Sequence, residues 1–283
     1  MSRIKICDIP VDVLTMQQTI ALINNAIVEK RPIHHVVINA AKVVNAQKDQ
    51  ALKESIVNCD IINADGQAIV WAARLLNRPL PERVAGIDLM GELVKLAAEK
   101  KYRIFFLGAK EEIVKKVVDT YTNTFGKDII AGYRNGYFGK EDEENVARQI
   151  ADSGAHILFV AMSSPKKEIF LNTYKALIQT PFIMGVGGSF DVVAGFVKRA
   201  PVWMQKTGLE WFYRVIQEPG RMWKRYLFGN SEFIYLVFKE KFKLIFRHPK
   251  IATVNFAEPN IAGANQKLTV GITHRRRTVA AAA

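Results

Sequence analysis

Three stretches of the chain carry residue types that could do chemistry. The first is FIMGVGGSFDVVAGFVKRAP, residues 182–201, in which an apolar run breaks into Gly185, Gly187 and Gly188. Glycines there let the backbone approach a ligand closely, and Ser189 and Asp191 are of the types that cap helices. A helix start would offer N–H donors and a partial positive charge to an anion such as a diphosphate. A tight strand–helix turn with no ligand fits the same residues. The second stretch is CDIINADG, residues 59–66, where an apolar strand ends on Asp65. A carboxylate at that point could take the proton of a substrate hydroxyl as general base; it could equally cap a helix beginning near Gln67. The third is Ser163-Ser164-Pro165-Lys166-Lys167-Glu168, two lysines at a helix start, where cations oppose the helix dipole. Pairing with a bound diphosphate would explain Lys166 and Lys167, and so would plain solvent exposure.

What is missing narrows the chemistry. The first strand is not followed by GxGxxG, there is no GxxxxGK[ST] loop and no Asp-x-Asp, and the five histidines are scattered without zinc spacing. No metal site and no cofactor are expected, and metal-dependent handling of a sugar nucleotide is disfavoured.

The elements that must position these residues alternate. Strands are expected at Arg3–Ile9, His34–Asn39, Cys59–Asp65, Tyr102–Leu107, Asp128–Tyr133, His156–Met162 and Phe182–Gly185. Between them lie helical patterns, among them Met16–Ile27 behind a Thr15 capping box, Ala40–Val57, Ile87–Lys100, Glu111–Phe125 and Lys166–Gln179. Short apolar strands alternating with amphipathic helices predict an α/β fold: a mainly parallel, Rossmann-like sheet with helices on both faces. Ligands bind such sheets at the carboxyl ends of strands. Asn39, Asp65, Gly108, Gly136 (with Tyr137 beside it), Ser163 and Gly187 fall at those ends, so one crevice is expected to gather them.

Composition sets the surroundings. The chain has 283 residues, a formal charge of +13 and two cysteines, Cys7 and Cys59, which make no disulfide framework and suit a reducing cytoplasm. The N-terminus lacks an apolar signal core and no long uncharged apolar run occurs, so a cytoplasmic location is expected. From Lys198 to Lys250 twelve Lys/Arg face four Glu, an excess of eight that makes up more than half of the net charge. Aromatics interleave with these cations from Trp203 onward, and FIYLVFKEKFKLIF, residues 233–246, reads either as an interfacial helix or as an amphipathic helix packed on the core. The expected organisation is an α/β domain over 1–200, a basic aromatic appendage over 201–249 and a disordered tail over 250–283. Such a surface attracts polyanions: an anionic membrane, nucleic acid or phosphorylated substrates. Aromatics mixed with long apolar runs favour lipid over nucleic acid.

Six segments together carry a resemblance. INADG (62–66), LPERVAG (80–86), GYF (136–138), SPKKE (164–168), GVGGSFDVVAG (185–195) and KRAP…GLEWFYR…EP (198–219) resemble the WecG/TagA/CpsF family of bacterial glycosyltransferases. The resemblance implies an inverting, metal-independent enzyme. It would move a sugar from a UDP-sugar donor to a polyprenyl-diphosphate-linked saccharide, in surface polysaccharide synthesis on the inner face of the membrane. It places the family's base on Asp65, a strand-end Asn on Asn39 and a loop Arg on Arg83. Arg214, Arg221 and Arg225 fall on the arginines of an appendage that closes over the site at the membrane. The motifs INAAKVV and SSPKKEIF look more like the exopolysaccharide branch than the teichoic-acid branch. Two positions depart from the common pattern: Val37 where many members have Thr, and Lys167 where many have Gln. The donor therefore stays open among N-acetylmannosamine, its uronic acid, glucose and glucuronate, and a homo-oligomer is left open too. Two readings of other classes remain beside this one: a nucleic-acid-binding protein and a sugar-nucleotide binder without catalysis.

Overall fold

Strands whose residues are apolar on both sides must be covered on both faces, and that need organises the chain. The structure is a computed structural model that describes residues 1–246, apart from the side chains of Arg221, Met222, Lys224, Arg225 and Tyr226. The tail expected over 250–283 lies outside the described residues. A short antiparallel hairpin, β1 (Arg3–Ile6) and β2 (Ile9–Asp12), comes first; it is a sheet of its own, and Asp12 ties it to the main sheet by accepting the Ile62 N–H at 2.7 Å. Then follow α1 (Met16–Val28), β3 (Ile33–Ile38), α2 (Ala40–Lys48), α3 (Gln50–Val57), β4 (Ile61–Ala64), α4 (Gln67–Leu75) and α5 (Gly86–Lys100). The second half adds β5 (Ile104–Gly108), α6 (Glu111–Phe125), β6 (Ile130–Arg134), α7 (Glu143–Asp152), β7 (Ile157–Ala161), α8 (Lys166–Ile178), β8 (Phe182–Gly185) and α9 (Ser189–Val193). Three helices close the described chain: α10 (Val202–Lys206), α11 (Glu210–Gln217) and α12 (Pro219–Phe246).

The main sheet has six strands in the order β4-β3-β8-β7-β5-β6, and every pairing is parallel. The expected α/β architecture is therefore present. Alternate strand residues feed two cores. Val37, Phe106, Phe159 and Met184 pack toward α1, α5, α6 and α9. Val36, Ile38 and Ile62 pack on the other side toward α2, α3 and α4, while Leu107, Val160 and Ile183 pack there toward α7 and α8.

Three elements differ from expectation. The first strand is a hairpin, turned through Cys7 and Asp8 with φ of 49° and 63°, the left-handed pair of a type I′ turn. The helix expected over 40–57 is two, because Asp49 is extended and its side chain accepts the Leu52 N–H to start α3. The terminal helix is longer than its apolar stretch. It opens on Pro219, a residue suited to a first helical position, and runs 28 residues. α12 packs on α2 and buries Phe233 and Val237 in the core, while Ile234, Tyr235, Phe238, Phe242 and Phe246 stay exposed. The reading as a helix packed on the core thus holds for one face, and the other face is exposed and apolar. No helix among the described residues is long and apolar enough to cross a membrane.

Candidate active site

Each strand of the parallel sheet delivers its next residues to one rim, so the carboxyl ends decide which candidates meet. β3 and β4 pair Ile38 with Ala64, which makes Asn39 and Asp65 neighbours just beyond the last pair. The Asp65 N–H donates to the Ile38 carbonyl at 2.9 Å. Gly66 lies so near Asn39 that a Cβ there would sit 3.4 Å from the Asn39 Cβ. Asn39 caps α2, its side-chain oxygen accepting the Lys42 N–H at 3.0 Å.

Asp65 does not cap the helix that follows it. α4 starts from Gly66 with no side-chain cap, and Asp65 Oδ1 accepts instead from the N–H of Gly86, the first residue of α5, at 3.0 Å. The loop between α4 and α5 makes this meeting, because Val84 N–H donates to the Ala64 carbonyl at 2.9 Å and lays the loop beside the end of β4. Loss of solvent pushes the Asp65 carboxyl above its ordinary range; the Gly86 N–H opposes this, Glu210 adds to it, and Arg83 and Arg214 oppose it. A carboxylate raised in this way and set at a strand end has the properties of a general base.

The same loop brings Arg83, whose Nη1 donates to Glu210 Oε2 at 3.0 Å. Arg199 grips Asp88 with two hydrogen bonds, 2.6 and 2.8 Å long. Arg214 stands one helical turn after Glu210 on α11 and is exposed. Arg221 and Arg225 fall on α12, and their side chains lie outside the description. Sequence reasoning missed Glu210, Arg199 and Asp88 as members of this group. The signal available for Glu210 was an acid four residues before an arginine in a segment otherwise rich in cations.

A second group forms at the opposite end of the rim. Gly108 has a φ of +121°, and a Cβ on it would fall 2.4 Å from the Ala161 carbonyl oxygen, so only glycine fits. Gly136 abuts Gly108, and its N–H donates to the Ala109 carbonyl at 2.9 Å. Tyr137 is exposed. Lys166 donates to the Phe138 carbonyl at 3.0 Å and stands 4.7 Å from the centre of its ring. Between the two groups lie Gly187, with a φ of +55°, and Gly188. The helix after them, α9, has only five residues and starts from Gly188. Ser189 turns its hydroxyl back to donate to the Val186 carbonyl at 2.8 Å, so neither it nor Asp191 caps.

Beneath the middle of the rim is a buried charge cluster. Lys42 Nζ lies 2.9 Å and Lys167 Nζ 3.0 Å from Glu168 Oε1, and Lys42 also donates to the Val37 carbonyl at 2.8 Å. Burial alone would raise the Glu168 carboxyl, but the two ammonium groups hold it down to about 2. Lys167 is therefore directed inward, next to Gly185, and not into solvent. Two ammonium groups thus converge on one buried carboxylate under the centre of the rim.

A parallel α/β sheet with a raised carboxylate and arginines at its carboxyl rim is the frame of an enzyme site for a negatively charged ligand. Comparison with known proteins is more specific. The "Glycosyl transferase WecG/TagA/CpsF family" profile matches residues 4–246. A Bacillus subtilis protein named N-acetylglucosaminyldiphosphoundecaprenol N-acetyl-beta-D-mannosaminyltransferase is 39% identical over 213 residues, 75% of this chain and 82% of that protein. A protein of the same name from Bacillus spizizenii is 37% identical over 182 residues, 64% of this chain and 70% of that one. The chain belongs to the WecG/TagA/CpsF family and is a glycosyltransferase of cell-envelope polysaccharide synthesis.

Proposed function

We propose that this enzyme transfers N-acetylmannosamine, with inversion and without a metal, from its UDP-sugar to a polyprenyl-diphosphate-linked N-acetylglucosamine at the membrane surface. The sugars follow the names of the two relatives, in which mannosamine is transferred; those names lend nothing to the exopolysaccharide branch. The observation that carries the mechanism is the placement of Asp65: partly buried at the rim, fixed by the Gly86 N–H and flanked by arginines. In the reaction Asp65 takes the proton of the acceptor hydroxyl as that oxygen attacks the anomeric carbon. The bond from that carbon to the diphosphate breaks, and the electron pair leaves with UDP.

Charge on the leaving diphosphate then needs stabilising groups. From β4 to β6 the rim spans five strand spacings, about 24 Å at ~4.8 Å each, so the two groups of candidates cannot touch one atom. The reading that fits puts the reacting carbon at Asp65 and runs the donor along the rim toward Gly187, Gly188 and Gly108, above the Lys42–Glu168–Lys167 cluster. Arg83 and Arg214 reach the diphosphate with forked hydrogen bonds.

The test is a panel of UDP-sugars against a lipid-linked N-acetylglucosamine acceptor, with product read by mass and EDTA present in a parallel series. Transfer of N-acetylmannosamine that survives EDTA is expected. Asp65→Asn should keep UDP binding and lose about 10²–10⁴-fold in turnover; turnover near wild type would move the base elsewhere.

A further inference from the structure

Glu210 opens α11 with its carboxylate held among the arginines of the site. Its Oε2 accepts from Arg83 at 3.0 Å, and its Oε1 lies 4.0 Å from Arg199 Nε. Arg199 is tied to Asp88 in the first turn of α5, the helix whose first N–H is held by Asp65. Charges therefore alternate along Asp88, Arg199, Glu210 and Arg83, and the chain ends beside Asp65. Arg199 Nε is buried without a hydrogen bond; Asp88 offsets most of the guanidinium charge, and the Glu210 carboxylate adds a smaller share. The charged and polar groups facing Asp65 are Arg83 from the loop, Arg199 from the segment before α10, Glu210 and Arg214 from α11, and the Gly86 N–H from α5.

We infer that Glu210 is a positioning residue for the base, holding Arg83 and α11 in place and offsetting the arginine field around Asp65. This rests on the reading of Asp65 as the base. Without Glu210, only Asp88 on Arg199 would answer the three guanidinium groups, which would then favour the ionised form of Asp65 more strongly and make it a weaker base. They would also repel one another and let Arg83 leave the position it now keeps. A misplacement of about 1 Å in such a site can cost about 10²-fold in rate.

Two measurements test the inference, both on the full chain. The first compares Glu210→Gln and Glu210→Asp in the transfer assay across pH. Gln should lower kcat by about 10²-fold and move the acid limb of the profile to lower pH, because removing a negative neighbour lowers the Asp65 pKa. Asp should recover most of the rate and keep the limb in place. The second needs no substrate: the Asp65 carboxyl carbon is titrated by NMR in wild type and in both variants. A lower midpoint in Glu210→Gln, with an unchanged one in Glu210→Asp, is expected. An unmoved midpoint in Gln, or wild-type kcat in Gln while Asp65→Asn is inactive, overturns the role of Glu210. If Asp65→Asn itself turns over normally, the base assignment fails and takes this role with it, whatever the titration shows. Should Glu210→Gln fail to fold, the titration is read on Glu210→Ala, with the same two outcomes.

Discussion

Asp65 answers to two demands that pull against each other. Partly buried, its carboxyl holds its proton above the ordinary range, desolvation being the larger cause and Glu210 a smaller one. The sign for folding follows directly. An acid whose pKa is raised in the folded state favours folding fully only below its unfolded pKa, about 3.9, and that contribution is lost as pH rises through the folded value. Asp65→Asn keeps the oxygen that accepts from Gly86 and removes the charge. At pH 8 the variant is therefore expected to be more resistant to urea than the parent, with the difference closing as pH is lowered toward about 4. An equal margin at both pH values would contradict the raised pKa. The residue's place at the strand end was legible in the sequence, because an apolar run stops on it. Its partner was not, since Gly86 lies 21 residues further on and is brought back only by the loop that runs beside β4.

The helices α2 and α8 follow non-adjacent strands, β3 and β7, and are cross-linked under the rim by Lys42, Lys167 and Glu168. Removing one member of a buried ion pair leaves the other charges uncompensated, which costs about 3–5 kcal/mol. Glu168→Gln is expected to lose stability on that scale in urea at neutral pH, because it removes the buried carboxylate on which both ammonium groups converge. A loss under ~1 kcal/mol, the range of surface pairs, would mean that the cluster is solvated. Sequence alone showed the two lysines as a helix start of unexplained charge. The acid that answers them is the next residue, but Lys42, the other half of the cluster, is far away in the chain. The same limit applied to the hairpin, because Cys7-Asp8 is not a standard hairpin pair. That turn is held from outside, where Glu240 accepts the Cys7 N–H at 2.7 Å and Gln47 donates to the Cys7 carbonyl at 2.8 Å. Strands and helices set by local periodicity were readable, whereas turns and breaks fixed by distant partners were not.

At the scale of the molecule, α12 has two apolar sides, and only one of them has a partner within the described residues. Phe233 and Val237 face the core, and Glu240 fixes the helix to the hairpin and to Arg78. Tyr235, Phe238, Phe242 and Phe246 form an exposed apolar stripe along the helix, with Lys239 and Lys243 beside it. Trp203, Phe212 and Ile216 add exposed apolar surface on α10 and α11. An apolar stripe bordered by lysines suits the interface of an anionic bilayer, which is where a lipid-linked acceptor would hold the reaction. Cutting the chain before Trp203 is a poor test of this docking, because it would also strip Met204, Phe233 and Val237 from the core. Substitutions on the outer stripe separate the two effects. Phe238→Ser together with Phe242→Ser should leave the thermal midpoint nearly unchanged, since both rings are already exposed. Each ring that enters the interface contributes roughly 1.5–3 kcal/mol and each lysine about 1 kcal/mol near an anionic leaflet. The double variant should therefore no longer float with anionic vesicles, and added salt should release the wild type, whose lysine attraction is screened. Transfer to a short, water-soluble acceptor should proceed at the wild-type rate in the variant, while transfer to a vesicle-embedded acceptor falls. If the variant still floats, the stripe is not the docking surface. If it loses activity on the soluble acceptor as well, this face of α12 serves the site itself and not the membrane.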